Sequence, residues 1–209
     1  MRVENKEAWT LMALHRLKSY VTDVKRRLNS RLRRSAQQRA RSLRELESLD
    51  SIVFREAVVL DVPALAELHV VTWNVTYNTT RGPTIATRTS QWSRIIAEPI
   101  RRDFVLVLED GEGRLIGFTW GKPHEGEFEG ELSKIYLRFE YHGLGLGRRM
   151  MGETARRFID RGIHSMILFA EVTNPTLGFY DRMGGERLLD EQGRFGGAYV
   201  WRDLNALLP

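Results

Sequence analysis

A chain of 209 residues, 42% hydrophobic and 28% charged, has the length for one well-cored domain with an appendage and the composition of an ordinary globular protein. It contains no cysteine, which excludes a disulfide framework, a thiolate nucleophile and any Cys-based zinc site, and no apolar run approaches the ~20 residues of a membrane span. The net charge of +5 is uneven: residues 1–50 hold 13 Lys and Arg against 6 Asp and Glu, whereas residues 51–209 hold 19 against 21.

Residues 1–50 therefore read as a basic N-terminal extension, helical or disordered. Trp9, Met12, Leu17, Tyr20, Val24 and Leu28 fall at helical spacing, but Lys25 to Arg44 is too poor in apolar residues to build a core. The favoured reading is a solvated segment without a partner, because charge runs are usually solvated faces; the other is an arm for nucleic acid, an anionic membrane surface or a protein. Glu4, Glu7 and Asp23 argue against a mitochondrial presequence, and no apolar segment precedes a small-residue cleavage site as in a secretory signal. The expected location is the cytoplasm, and a homodimer is left open.

The folded domain is expected over residues 51–209. Ser51 to Ala57 reads as a strand. Asp61, with Pro63 just inside, signals a helix start, and Leu65, Leu68, Val71 and Val75 carry that helix to about Thr76. Thr84 to Glu98 forms a second helical stretch that stops before Pro99. Phe104–Glu109 and Leu115–Lys122 read as a hairpin around the turn signal Asp110-Gly-Glu-Gly113. Glu131–Leu137 is the next strand, and a glycine-rich turn follows it. A helix then runs from about Leu146 to Arg161 and ends at Gly162. His164–Val172 reads as a strand, Pro175–Met183 as a short helix, and Glu186–Asp190 with Gly197–Asp203 as a closing hairpin. The order implies an α/β (α+β) domain with a mixed, mostly antiparallel central sheet and flanking helices.

Gly143, Gly145 and Gly147 alternate between a strand and a helix. Glycine allows positive φ and close backbone approach, and a helix N-terminus adds orphan N–H groups and a favourable dipole, so the turn suits a pyrophosphate. A P-loop would end in Gly-Lys-Ser/Thr, but Gly147 is followed by Arg148 and Arg149; a dinucleotide fingerprint needs Gly at the sixth position from Gly143, which is Arg148. Taken alone, the glycines could equally serve tight strand–helix packing.

Gly130-Glu-Leu-Ser-Lys-Ile-Tyr-Leu137 followed by His142-Gly-Leu-Gly-Leu-Gly147 resembles the central motif of the GNAT superfamily of acetyltransferases. Asn174-Pro-Thr-Leu-Gly-Phe-Tyr180 with Met183-Gly-Gly185 resembles that family's next motif, Trp73-Asn-Val-Thr-Tyr77 an early one, and Tyr199–Leu204 its closing strand. The resemblance covers about residues 52–207. His142 stands where the family usually has Gln or Arg, Phe139 where it often has Pro, and Gly185 where it usually has Phe.

The resemblance implies an N-acetyltransferase that moves an acetyl group from acetyl-CoA to a primary amine of a small molecule or peptide, by direct transfer in a ternary complex. It implies that backbone groups of Ile135, Tyr136 and Leu137 hold the pantetheine and acetyl. The turn of His142, Gly143, Leu144, Gly145, Leu146, Gly147 and Arg148 would take the pyrophosphate, with Asn174 on the pantetheine arm. Glu131 takes the position of the general base, one of several acids with Glu125, Glu127 and Glu129, and Tyr180 that of the acid that protonates the thiolate. Trp73 and Tyr77, one helical turn apart, become a wall of the acceptor pocket; core packing is their plainer reading. His69, His124 and His164 show no ligand spacing, so no metal is expected. The alternative is a non-catalytic acyl-CoA sensor whose basic arm contacts nucleic acid or a partner.

Overall fold

A computed structural model describes residues 49–98 and 102–208, so nearly all of the basic extension, residues 1–48, lies outside the described residues. Seven strands form one sheet: β1 (Val53–Glu56), β2 (Phe104–Glu109), β3 (Leu115–Pro123), β4 (Gly130–Leu137), β5 (Met166–Phe169), β6 (Glu186–Leu189) and β7 (Phe195–Trp201), in the order β1-β2-β3-β4-β5-β7-β6. All neighbours are antiparallel except β4 and β5. Four α-helices accompany it: α1 (Val62–Tyr77), α2 (Ile85–Ala97), α3 (Leu146–Ile159) and α4 (Leu177–Arg182). The mixed, mostly antiparallel sheet with flanking helices is the architecture expected from the element order.

Strand β2 shows why the sheet is covered on both sides. Its residues from Phe104 to Leu108 are apolar without a break because Phe104 and Leu106 pack with Met151, Ala155 and Phe158 of α3, while Val105 and Val107 pack with Leu65, Leu68 and Trp92 of α1 and α2. Successive side chains point to opposite faces, so a strand buried on both must be apolar throughout. Phe158 lies fully buried over Gly121 and Gly130, where any Cβ would meet its ring within 3 Å. The hairpin turn between β2 and β3 closes as expected: the Asp110 carboxylate accepts from the backbone N–H groups of Glu112 and Arg114 at 3.0 Å each.

Two local expectations change. Asp61 precedes α1 but donates no cap; its carboxylate accepts from the Val58 N–H at 2.8 Å and from both Arg55 terminal nitrogens at 2.7 and 2.9 Å, a stronger set of charged hydrogen bonds than a cap offers. Thr84, in contrast, caps α2, its side chain accepting from the Thr87 N–H at 3.2 Å. The strand read as His164–Val172 spans only Met166–Phe169, the stretch that pairs with Ala198–Trp201 of β7.

Arg55 bridges Asp61 and Glu109 and so ties β1 to β2 and to the entry of α1. The Arg55 guanidinium holds the Asp61 carboxyl below the usual carboxylate range. A depressed carboxyl contributes stability that is present above its unfolded pKa of about 3.9 and disappears as pH falls through the lower folded value. Asp61→Ala is expected to cost about 1–3 kcal/mol at pH 7, measured by urea unfolding. The difference from the native chain should shrink as the pH is lowered below about 4.

Candidate active site

The site arises where the sheet comes apart. Strands β4 and β5 pair only at Gly130–Met166 and Glu131–Ile167; beyond Glu131 they diverge. On its other side β4 stays paired with β3 as far as Leu137. The opening becomes a cavity of about 520 Å³ lined by Leu132–Leu137, by the glycine-rich turn, by Leu168–Ala170 at the end of β5 and by the segment from Asn174 through α4.

The turn after β4 has two kinds of glycine. Gly143 and Gly145 have φ of +76° and +83°, and a Cβ on either would meet nothing within 4 Å. Their identity is demanded by backbone conformation, and the space before them is open to a ligand. Gly145 is the N-cap of α3 and provides no side chain, which leaves the first N–H groups of the helix for an anion. Gly147 differs: it lies within α3, and a Cβ there would stand 3.0 Å from the Phe179 ring of α4. It lets the two helices approach, so both readings of the glycines hold, each at different positions.

Side chains sort the remaining turn residues. Leu144 and Leu146 turn inward to Ile52, Leu108 and Tyr141 and anchor the turn to the core, contributing only backbone to the outside. His142 lines the cavity, but its Nε2 lies 3.0 Å from the Leu137 carbonyl, so the ring braces the turn against the end of β4. Arg148 lines the cavity, whereas Arg149 lies over the Phe54 ring at 4.9 Å on the other side of the helix. Arg182 of α4 adds a second cation to the lining, one that sequence reasoning did not pick out.

Asn174 and Tyr180 meet in the same wall. The Asn174 Oδ1 accepts from the Thr176 N–H at 2.9 Å and from its hydroxyl at 2.7 Å, fixing the bend before α4. Tyr180 is 5% exposed, and burial pushes its phenol up to about 12, with the Thr176 side chain acting in the opposite direction. Across the cavity, burial raises the Tyr77 phenol, and its hydroxyl is held by Tyr136 and Asn174. Burial likewise raises Tyr136. Ile135, Tyr136, Leu137, Tyr77, Asn174 and Tyr180 thus share one cavity.

Trp73 and Glu131 stand behind that surface. Trp73 stacks against Tyr77 with ring centroids 4.9 Å apart and lies beneath Gly82, backing the wall that Tyr77 forms. Glu131 is absent from the lining; its carboxylate lies 3.0 Å from Lys122 Nζ and 3.7 Å from His124 Nδ1 on the neighbouring strand. Lys134, Thr176 and Phe179 do line the cavity and were not singled out from sequence. A signal for Lys134 existed: two residues from Tyr136 on one strand, it must share that residue's face. Among the described residues no three His, Asp or Glu side chains gather as a metal site, and no helix is long and apolar enough to cross a membrane.

A sheet split beside a glycine-built helix N-terminus offers a slot for an extended ligand and a place for its anionic end. Residues 62–185 match the acetyltransferase (GNAT) family, and the chain belongs to it; it is an acyltransferase of that family. Over 167 residues it is 28% identical to YuaI of Bacillus subtilis (strain 168), described as an uncharacterized N-acetyltransferase, covering 75% of this chain and 96% of that one. Mycothiol acetyltransferase of Arthrobacter sp. (strain FB24) is 31% identical over 87 residues, 39% of this chain and only 27% of that enzyme. Among solved structures, the PaiA N-acetyltransferase of Thermoplasma acidophilum in complex with coenzyme A shares the fold with a TM-score of 0.55 at 21% identity, covering 72% of this chain and 96% of that one. YncA of Salmonella typhimurium, solved with acetyl-CoA, has a TM-score of 0.52 at 18% identity.

Gly145→Ala forces a side chain into a left-handed conformation and projects a methyl into the open cradle. Calorimetric titration is expected to show coenzyme A affinity falling at least tenfold, with a smaller loss of thermal stability, since the strain is about 1–2 kcal/mol.

Proposed function

We propose that the chain transfers an acetyl group from acetyl-CoA directly to a primary amine of a small molecule or peptide within a ternary complex. The observation that carries this reading is the cavity itself: one opening joins the unpaired side of β4, the open glycine cradle and the buried Tyr180 phenol. The backbone of Ile135–Leu137 offers donors and acceptors to the pantetheine amides and the acetyl carbonyl. The first N–H groups of α3 take the pyrophosphate, with Arg148 adding charge-assisted contacts.

In the transfer, the amine nitrogen forms a bond to the thioester carbonyl carbon, the carbon–sulfur bond breaks, the sulfur leaves with the electron pair, and the amine loses one proton. Tyr180 is protonated at neutral pH as any tyrosine is, and burial pushes its phenol further up, to about 12. That value lies above an ordinary thiol, so Tyr180 keeps its proton and serves by donating a hydrogen bond to the developing thiolate. Glu131 receives the amine proton through water in this scheme. Supporting it are its place on β4, one residue before the cavity lining, and a carboxylate only partly enclosed at 16% exposure. The absence of cysteine from the chain supports direct transfer, since no thiol is present to carry an acyl intermediate.

Tyr180→Phe and Glu131→Gln are each expected to lower kcat by about 10²-fold or more while coenzyme A still binds. Unchanged turnover in both would remove the assigned roles. Initial-velocity patterns should intersect when acetyl-CoA and amine are varied together; parallel lines would indicate an acyl-enzyme and overturn direct transfer.

A further inference from the structure

Lys134 is a cation in the cavity wall beside Tyr136, and among the described residues it has no ion pair. Lys134 of β4 lines the cavity and stands opposite Trp120 of β3, its ammonium 5.8 Å from the indole centroid. Its one hydrogen bond reaches the neighbouring Ser133 carbonyl at 3.5 Å. Arg88 of α2 approaches from above: one terminal nitrogen donates to Gln91 at 2.6 Å, and its Nε is buried with no partner. The two are near enough that, after burial, Arg88 is the largest cause depressing the Lys134 ammonium.

Arg88, Lys122 and Lys134 are positive, and the carboxylates facing them are Glu131, already held by Lys122 at 3.0 Å, and Asp103, bonded to the Trp120 Nε1 at 3.4 Å. His69 packs against Trp92, Phe118 and Tyr136 with no exposure and both ring nitrogens unpartnered; burial, then Arg88 and Lys134, push it down to about 2, so it adds no charge. Glu171 acts on Tyr77 farther along the wall, and among the described residues neither Lys134 nor Arg88 has a carboxylate within ion-pair distance. Retaining an unpaired cation there costs free energy unless a ligand supplies the anion.

We propose that the acceptor amine also carries a carboxylate, and that Lys134, with Arg88 behind it, holds that carboxylate beside Tyr77 and Tyr136. This makes the acceptor an amino acid rather than a simple amine or polyamine. It rests on the acetyltransferase reading above. Lys134 is a substrate-binding residue here, and Arg88 is a positioning residue that keeps the local charge positive.

The test uses the full chain with acetyl-CoA and matched triplets: each common α-amino acid, its carboxamide and its decarboxylated amine, with free thiol release as readout. The expected result is kcat/KM at least tenfold higher for the best acid than for its amide, carried by KM. Lys134→Met should bring that ratio close to one and Lys134→Arg should restore most of it; Arg88→Gln should reduce it severalfold. Retained melting temperature and coenzyme A affinity check the fold of each variant. Amides or decarboxylated amines turned over as well as acids would overturn the inference and leave the acetyltransferase reading standing. No transfer to any panel member, with coenzyme A still bound, overturns the amino-acid acceptor as well. Loss of both transfer and coenzyme A binding in the native chain would instead overturn the reading beneath it.

Discussion

Everything functional in this chain depends on two strands that begin as neighbours and then separate. Two residue pairs hold β4 to β5, and the remaining length of β4 is paired on one side only. A sheet that stayed zipped would leave no opening, and one that never paired there would lose the support of β5, β7 and β6 for α4. Pairing at Gly130 and Glu131 positions Tyr180 opposite Tyr77; divergence after them creates the space between. The glycine turn lies at the far end of the same strand, so one β-strand sets the distance between it and the point where β4 and β5 part.

Packing on both faces of the sheet supports the split. On one face Phe158 fills the hollow over Gly121 and Gly130 and sits in the same cluster as Met166, Tyr180 and Trp201. On the other, Phe118, Trp92 and Leu65 join β3 to α1 and α2. Gly147 and Phe179 bring α3 and α4 together at the mouth. Within the cavity, Asn174, Thr176 and His142 spend hydrogen bonds on holding the wall itself.

Elements with a strong periodic or turn signature were legible before any coordinates. Phe104–Glu109 and the helix starting at Leu146 agree with their expected bounds at the start, because an unbroken apolar run and a glycine N-cap are local signals. The Asp61 cap was misread because its competitor, Arg55, is local in sequence but acts through the fold, reaching Glu109 on β2 as well. The glycine turn was legible through its motif, yet motif alone cannot tell Leu144, whose side chain packs against the core, from Gly145, which stands before open space. The acceptor side was legible least. Arg88 reaches Lys134 from a separate helix, a juxtaposition that no spacing in the sequence announces.

The unpaired side of β4 can also be viewed as a sheet edge placed inside the molecule. Exposed edges invite other chains to add a strand, and proteins usually blunt them with charge, proline or a bulge. Here Leu132–Leu137 faces a slot bounded by Leu168, Phe169 and α4, entered past the glycine turn. Leu168, Phe169 and α4 stand on that side of β4, so the edge is covered by the chain itself. The same divergence that opens the site therefore keeps its backbone hydrogen-bonding capacity away from aggregation, at no cost in surface design.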